Sequence, residues 1–247
     1  MSSERKMREG LTDIHCHIVP GVDDGASTKT DVKEMLQMEY DSGVRTLVLT
    51  PHYRKGMFEA EKDRVLKHAA YVNYEVQKLG LCMEVYLGCE YHANSEMIEE
   101  LKRNPHFRIN GGKYVLVEFS SSHSYSKIRG WIYQLVSSGF VPVIAHVERY
   151  DSVVRQIERV GELIELGALI QVSAGSLLGE YGFGMKRVTK KLLKQRWIHF
   201  IGSDAHDTKK RRPNLKECEA YVAKKAGQFY ADELFVKNPQ KILKDLD

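Results

Sequence analysis

Apolar residues gather along the chain in seven short runs, at 11–19, 46–52, 84–91, 114–120, 141–147, 168–174 and 198–206, each rich in Val, Ile, Leu or aromatic residues and of strand length. Between the runs the apolar period becomes helical. It is clearest at 28–42, where Val32, Met35 and Leu36 form a stripe and Glu39 is expected to face outward, and again at 124–138, 153–166 and 213–226. A short closing helix is expected over 238–247. Parallel strands need a crossover, usually a helix, so this alternation predicts an α/β protein with a parallel sheet. No repeat, low-complexity tract or Pro/Gly/Ser-rich linker interrupts it. A short arm at 1–10 followed by one domain over 11–247 is therefore expected.

With 43% hydrophobic and 28% charged residues among 247, the composition is that of a globular protein and excludes disordered or fibrous classes. The longest apolar stretches, such as 140–145, are far too short to span a bilayer, and the first ten residues carry charge and no apolar core. No membrane insertion and a cytoplasmic location are expected. A net charge of +4 is too small for a nonspecific nucleic-acid binder but suits an anionic small substrate. The four cysteines, Cys16, Cys82, Cys89 and Cys218, form no C-x-x-C pair and read as small core residues. The basic cluster at 186–196 reads as the solvent face of a helix.

Chemistry concentrates at the ends of the strands. His15 and His17, His52, Glu90, Glu118, His146, and Asp204 with His206 fall at or near the C-terminal ends of six of the seven runs. His15 and His17 are two apart on an extended segment, so both point to one face with Cα atoms roughly 6.7 Å apart. Asp204 and His206 repeat the pattern. A single strand-end histidine is most often a hydrogen-bonded structural residue, but six such ends together leave that reading little room. In an open seven-stranded sheet the outer strands would lie about 29 Å apart, whereas metal ligands sit about 2 to 2.2 Å from an ion. Only a closed or nearly closed barrel brings the first and last runs together, and such barrels carry their active sites at the C-terminal strand ends.

The donor set exceeds what one catalytic ion needs, more so with Asp23 and Asp24 in the loop after the first run. Two or three ions are implied, and mixed imidazole and carboxylate donors suit Mn²⁺, Zn²⁺ or Fe²⁺. Clusters of this kind activate water for phosphoester hydrolysis. Arg149 and Arg211 fall in loops over the metal mouth, where a guanidinium fork fits phosphate oxygens, and the run 209–212 is read with them as anion-binding.

Several motifs occur in order: D-I-H-C-H-I-V-P-G-V-D-D-G-A at 13–26, T-P-H-Y at 50–53, G-C-E-Y at 88–91, V-E-F at 117–119, I-A-H-V-E-R at 144–149, S-A-G-S-L at 173–177 and S-D-A-H at 203–206. Together they resemble the bacterial manganese-dependent protein-tyrosine phosphatases of the polymerase and histidinol phosphatase superfamily, which are associated with capsule and exopolysaccharide synthesis. The resemblance implies a distorted seven-stranded β/α barrel with three metal ions. It implies one ion on His15, His17, Glu90 and Asp204, with Glu90 bridging to a second on Glu118 and His146. A third would sit on Asp24, His52 and His206, and Arg149 and Arg211 would bind phosphate. Val147 and Tyr150 stand where many relatives have Pro and Asn. The implied reaction is attack of a metal-bridging hydroxide on phosphotyrosine, and the implied partner is the phosphorylated tail of a tyrosine kinase.

Other classes fit less well. A cysteine-dependent phosphatase needs Arg six positions after the cysteine, and those positions hold Val22, Gly88, Ser95 and Lys224. An amidohydrolase would typically need a metal-bridging lysine at a strand end, and none is present. A metabolite phosphatase acting on histidinol phosphate is the runner-up, and an inactive metal-stabilised binding module is the non-enzymatic alternative. Tyr91, His92 and His123 read as rim residues, of which the histidines are solvated. His68, His106 and His199 show no partner in the sequence.

Overall fold

The computed structural model describes residues 10–244. Nine parallel strands occur among them: β1 (Leu11–Cys16), β2 (Val44–Leu49), β3 (His52–Tyr53), β4 (Glu84–Leu87), β5 (Glu90–His92), β6 (Tyr114–Glu118), β7 (Val141–Ile144), β8 (Leu169–Ser173) and β9 (Phe200–Gly202). They pair in the orders β1-β2-β4 and β3-β5-β6-β7-β8-β9. The expected α/β class with parallel pairing is what the chain forms.

Seven runs become nine strands because two of them break. The second breaks at Thr50 and Pro51, where proline has no N–H to give the ladder. The third breaks beside it at Gly88 and Cys89. The two breaks stay in step, since the Gly88 N–H donates to the Leu49 carbonyl (2.8 Å) and the Glu90 N–H to the Pro51 carbonyl (3.1 Å). At the other end of the alternation, Cys16 and Ala205 form a parallel bridge. The His17 N–H donates to the Ala205 carbonyl (2.9 Å) and the Asp204 N–H to the His15 carbonyl (2.8 Å), so the first and last runs meet. Ile14, Val48, Leu116, Val143 and Phe200, one from each of five strands, join a single buried cluster with Ile242 and Leu243 of the last helix. A flat sheet could not do this, so the strands curve round a shared centre.

The helix expected at 28–42 is Lys29–Asp41. Its start is fixed by a capping box: the Asp31 N–H donates to the Thr28 hydroxyl (3.1 Å) and the Thr28 N–H to the Asp31 carboxylate (2.8 Å). Glu39 does not face outward. It lies one turn beyond Met35 on the same stripe and is fully buried, 3.5 Å from the Ser203 hydroxyl. The helix expected at 153–166 is two, Asp151–Val154 and Glu158–Glu165, with the Ser152 carbonyl taken by the Arg159 guanidinium (2.6 Å). The other two are Tyr125–Ser137 and Leu215–Ala226. The closing helix is Asn238–Lys244. Its expected last three residues, like residues 1–9 of the arm, lie outside the described residues. Three of the cysteines, Cys16, Cys89 and Cys218, are buried in the core, and Cys82 is half-buried.

Candidate metal centre

Every strand end that carries a metal-ligating residue type contributes to one cluster. β1 brings His15 into it, and a register irregularity between Asp13 and Cys16 re-aims the strand there. The Asp13 carboxylate holds the turn from both sides, accepting the N–H groups of His15 (3.1 Å) and Ser203 (3.1 Å). Two glycines let the backbones close in. A Cβ on Gly202 would lie 2.7 Å from the His15 Cβ, and one on Gly25 would lie 2.1 Å from the His17 carbonyl oxygen. His146 and Asp204 sit just past their strands with left-handed backbones, φ 32° and 54°. Such conformations cost about 1–3 kcal/mol in a non-glycine residue and are kept where surrounding contacts hold them.

Glu90, fully buried, is the hub. Its Oε2 lies 3.1 Å from His15 Nε2, 3.2 Å from His17 Nε2 and 3.0 Å from His52 Nδ1, while its Oε1 is 2.6 Å from His146 Nε2. Asp204 Oδ1 stands 3.5 and 3.6 Å from the same His15 and His17 nitrogens. Donor atoms form three overlapping groups, each with every atom within 4.8 Å of the others: His15, His17, Glu90 and Asp204; His52, Glu90 and Glu118; and His17, His52 and His206. His146 Nε2 is 4.0 Å from Glu118, and Asp24 Oδ1 lies 3.5 Å from His52 Nε2 and 3.6 Å from His206 Nε2. All nine expected ligands therefore fall in one place, although His52 stands with Glu90 and Glu118 as well as near Asp24.

The donor chemistry fits divalent cations. Glu90 Oε2, His52 Nδ1 and His206 Nε2 are buried without a hydrogen-bond partner, an arrangement that costs free energy unless a cation completes it. The local field is strongly negative. Burial works against protonation of His15 and His52, yet Glu90 outweighs it, aided at His15 by Asp204, and raises both to about 9. Burial, with the charge of Glu90 beside it, pushes Glu118 up to about 7. His146 and His206 go the other way, each down to about 4, through burial and then the nearby Arg149 and His17.

The mouth is cationic. The Arg149 guanidinium donates to Asp204 Oδ2, and Arg211 donates to Asp204 Oδ1 at 3.0 Å. Both arginine side chains are about 30% exposed, 27% and 30%, whereas Asp204 is 1%, so the guanidinium groups separate the deep cluster from solvent. Tyr181 packs on Arg149, 5.6 Å from ring centre to Cζ.

Several residues around the donors make contacts that the sequence reading did not assign to them. Asp23 Oδ2 accepts from His17 Nδ1 (2.8 Å) and from the His52 N–H (2.9 Å), fixing two ligands at once. Gln171 Oε1 is 3.3 Å from His15 Nδ1 and accepts the His146 N–H at 2.7 Å. The buried Tyr150 phenol lies 3.3 Å from His146 Nδ1 and accepts the Phe119 N–H at 3.1 Å. Arg54 acts electrostatically on His92 and Glu118. A buried glutamine inside a strand gives no spacing signal, whereas Asp23 was already counted among the donors and instead holds two of them through hydrogen bonds. Tyr91 is buried with its phenol on Glu100, and His68 and His199 have backbone partners at Pro20 and Ile170.

Residues 11–244 match the family described as capsular polysaccharide synthesis, CpsB/CapC. The chain is 35% identical to a tyrosine-protein phosphatase CpsB of Streptococcus agalactiae serotype III, over 95% of this chain and 99% of that one. It is 32% identical to tyrosine-protein phosphatase YwqE of Bacillus subtilis, over 95% and 92%. A solved structure among those of Bacillus subtilis YwqE and Streptococcus pneumoniae CpsB, described as unique metal-dependent tyrosine phosphatases, superposes with a TM-score of 0.89 at 32% identity, covering 96% of each chain.

Proposed function

Because this chain belongs to the CpsB/CapC capsular polysaccharide synthesis family, we propose that it is a metal-dependent protein-tyrosine phosphatase. The observation that carries the reading is the meeting of four buried donors, His15, His17, Glu90 and Asp204, with two further donor groups beneath a pair of arginines. The site would lie at the C-terminal ends of a distorted seven-stranded barrel. Three ions, loaded as Mn²⁺, would equal in number the three overlapping donor groups, and Zn²⁺ or Fe²⁺ would be accepted by the same atoms. His15, His17, Glu90 and Asp204 would hold one ion, Glu90, Glu118 and His146 a second, and Asp24, His52 and His206 a third. Bound there, divalent ions supply a nucleophilic water at neutral pH and neutralise phosphoryl oxygens.

The protein's own groups do the rest. Arg149 and Arg211, now shared by Asp204, present guanidinium donors to an incoming phosphate, and they orient it for in-line departure of the phenol. Asp23, Gln171 and Tyr150 keep the imidazoles aimed. A phenolate, with a pKa of about 10, leaves without a strong acid. A cysteine nucleophile is not used: burial pushes the Cys16 and Cys89 thiols well above their usual range, so neither is a thiolate at neutral pH. The substrate would be a tyrosine-phosphorylated protein such as the tail of a bacterial tyrosine kinase that controls capsule synthesis, met in the cytoplasm.

The test is turnover after chelation and reloading with Mn²⁺, Zn²⁺ or Fe²⁺, on p-nitrophenyl phosphate, phosphotyrosyl and phosphoseryl peptides and histidinol phosphate, beside elemental analysis. Metal-dependent preference for the phosphotyrosyl peptide is expected. No metal-dependent turnover, or preference for histidinol phosphate, would refute the reading.

A further inference from the structure

The helix Phe183–Gln195 leaves the rim of the metal centre, since Tyr181, two residues before it, packs on Arg149. From Tyr181 to Arg196 the chain has six basic residues and no acidic one, while the whole chain carries only +4. Apolar positions Leu192 and Leu193 are buried, and Val188 packs against the core. What remains outside is a stripe of Phe183, Arg187, Lys190, Lys191 and Lys194. Phe183 is 93% exposed, and the stripe lines a shallow trough of about 490 Å³. Some exposed basic residues elsewhere find carboxylates, as Lys55 does with Glu96 and Arg155 with Asp151. None of the four cations of the stripe has an ion pair or a hydrogen bond from its side chain among the described residues. Like charges three and four residues apart repel by roughly 0.2–0.5 kcal/mol per pair, so the stripe opposes its own helix.

We propose that this stripe is a docking strip for an acidic segment flanking the phosphotyrosine of a protein substrate. The inference rests on the phosphatase reading and adds to it a substrate class, phosphotyrosine with nearby Asp and Glu. Charge complementarity and the position at the rim favour it. The strip is about 16 Å long, which matches roughly five residues of extended peptide leading out of the mouth. A lipid surface fits less well, because an interfacial helix needs a broad apolar face and this one turns its leucines to the core, leaving Phe183 alone outside.

The experiment compares two phosphotyrosyl peptides of equal length, one with Asp and Glu roughly three to eight residues from the phosphotyrosine and one with Ser and Gly there. With the Mn²⁺-loaded full chain, the acidic peptide should show a KM at least about fivefold lower at low salt, and the advantage should fade at about 0.5 M salt. The combined variant Arg187→Glu, Lys190→Glu, Lys191→Glu and Lys194→Glu should lose the preference while hydrolysing p-nitrophenyl phosphate as the wild type does. Equal KM values in the wild type, or a preference that survives in the variant, would overturn the proposal. So would salt-sensitive sedimentation with phosphatidylglycerol vesicles but no discrimination between peptides, which would assign the strip to a membrane. If neither peptide is hydrolysed, the phosphatase reading fails. The strip is then judged by fluorescence anisotropy of the unphosphorylated acidic peptide, whose binding by the wild type must be lost in the variant.

Discussion

Gln171 shows how a residue that touches no substrate can set the quality of the site. Its single carbonyl oxygen faces the His15 ring and takes the His146 N–H, so one side chain ties together donors from the first and fifth runs. Groups that orient metal-ligating imidazoles are typically worth about 10–100-fold in affinity or activity. Gln171→Leu is expected to lose metal affinity by about that factor with the circular dichroism spectrum unchanged. Wild-type affinity by metal titration would show that the ligands hold themselves. Removing a ligand is harsher: His146→Ala or Asp204→Ala should abolish turnover together with bound metal by elemental analysis. Arg211→Ala should keep its metal and lose substrate binding, seen as a raised KM, because the guanidinium stands over the donors rather than among them. Full metal loss in the arginine variant would contradict that placement.

Glu39 makes the corresponding case for an element. It fixes the helix Lys29–Asp41 against β1 through a buried acid cluster, for Ser203 lies between its carboxyl and that of Asp13. Burial, and then the charge of Asp13, hold the Glu39 acid well above the carboxylate range, so the folded protein keeps a proton that the unfolded chain releases once the pH passes about 4.5. The native state then binds more protons than the unfolded one, and stability falls as the pH rises above that point. Glu39→Gln removes the share of this dependence that Glu39 carries, while burial still raises Asp13. The melting temperature of the variant minus that of the wild type should therefore rise between pH 5 and pH 8, and a difference that stays constant over that range would mean Glu39 is ionised in the fold. The same residue marks the limit of what apolar spacing conveys. The runs and periods foretold the parallel α/β alternation, because strand-length apolar runs and helical stripes are local properties of the chain. They could not foretell that a carboxyl on the stripe would find a buried partner 164 positions away, nor that Pro51 and Gly88 would break two runs in step. The candidate ligands were legible because they recur at strand ends, and Asp23 because it stands beside Asp24 in the loop after the first run, whereas the roles of Gln171 and Tyr150 are recognisable only once the strands are side by side.

At the scale of the whole molecule, the proposed ions join what the sequence keeps far apart. The donors run from His15 to His206, and the first and last runs otherwise touch through the Cys16–Ala205 bridge and its neighbouring hydrogen bonds. Cations bound there but not to the unfolded chain would stabilise the entire fold, by about 2.7 kcal/mol when free ion is at a hundredfold excess over the dissociation constant. For a protein of this size that is a rise of roughly 5–10 °C in melting temperature. The effect carries a pH signature. His15 and His52, raised to about 9 in the metal-free protein, must give up protons to become ligands, so cations compete with protons until the pH exceeds that value. Raising the pH from 6 to 8 at fixed Mn²⁺ should therefore enlarge the difference in melting temperature between loaded and chelated protein. Titration calorimetry at pH 8 in buffers of different ionisation enthalpy should report proton release on binding. An equal melting difference at both pH values, with no proton release, would mean that the imidazoles are already neutral and that the negative field of Glu90 and Asp204 is balanced by Arg149 and Arg211 alone.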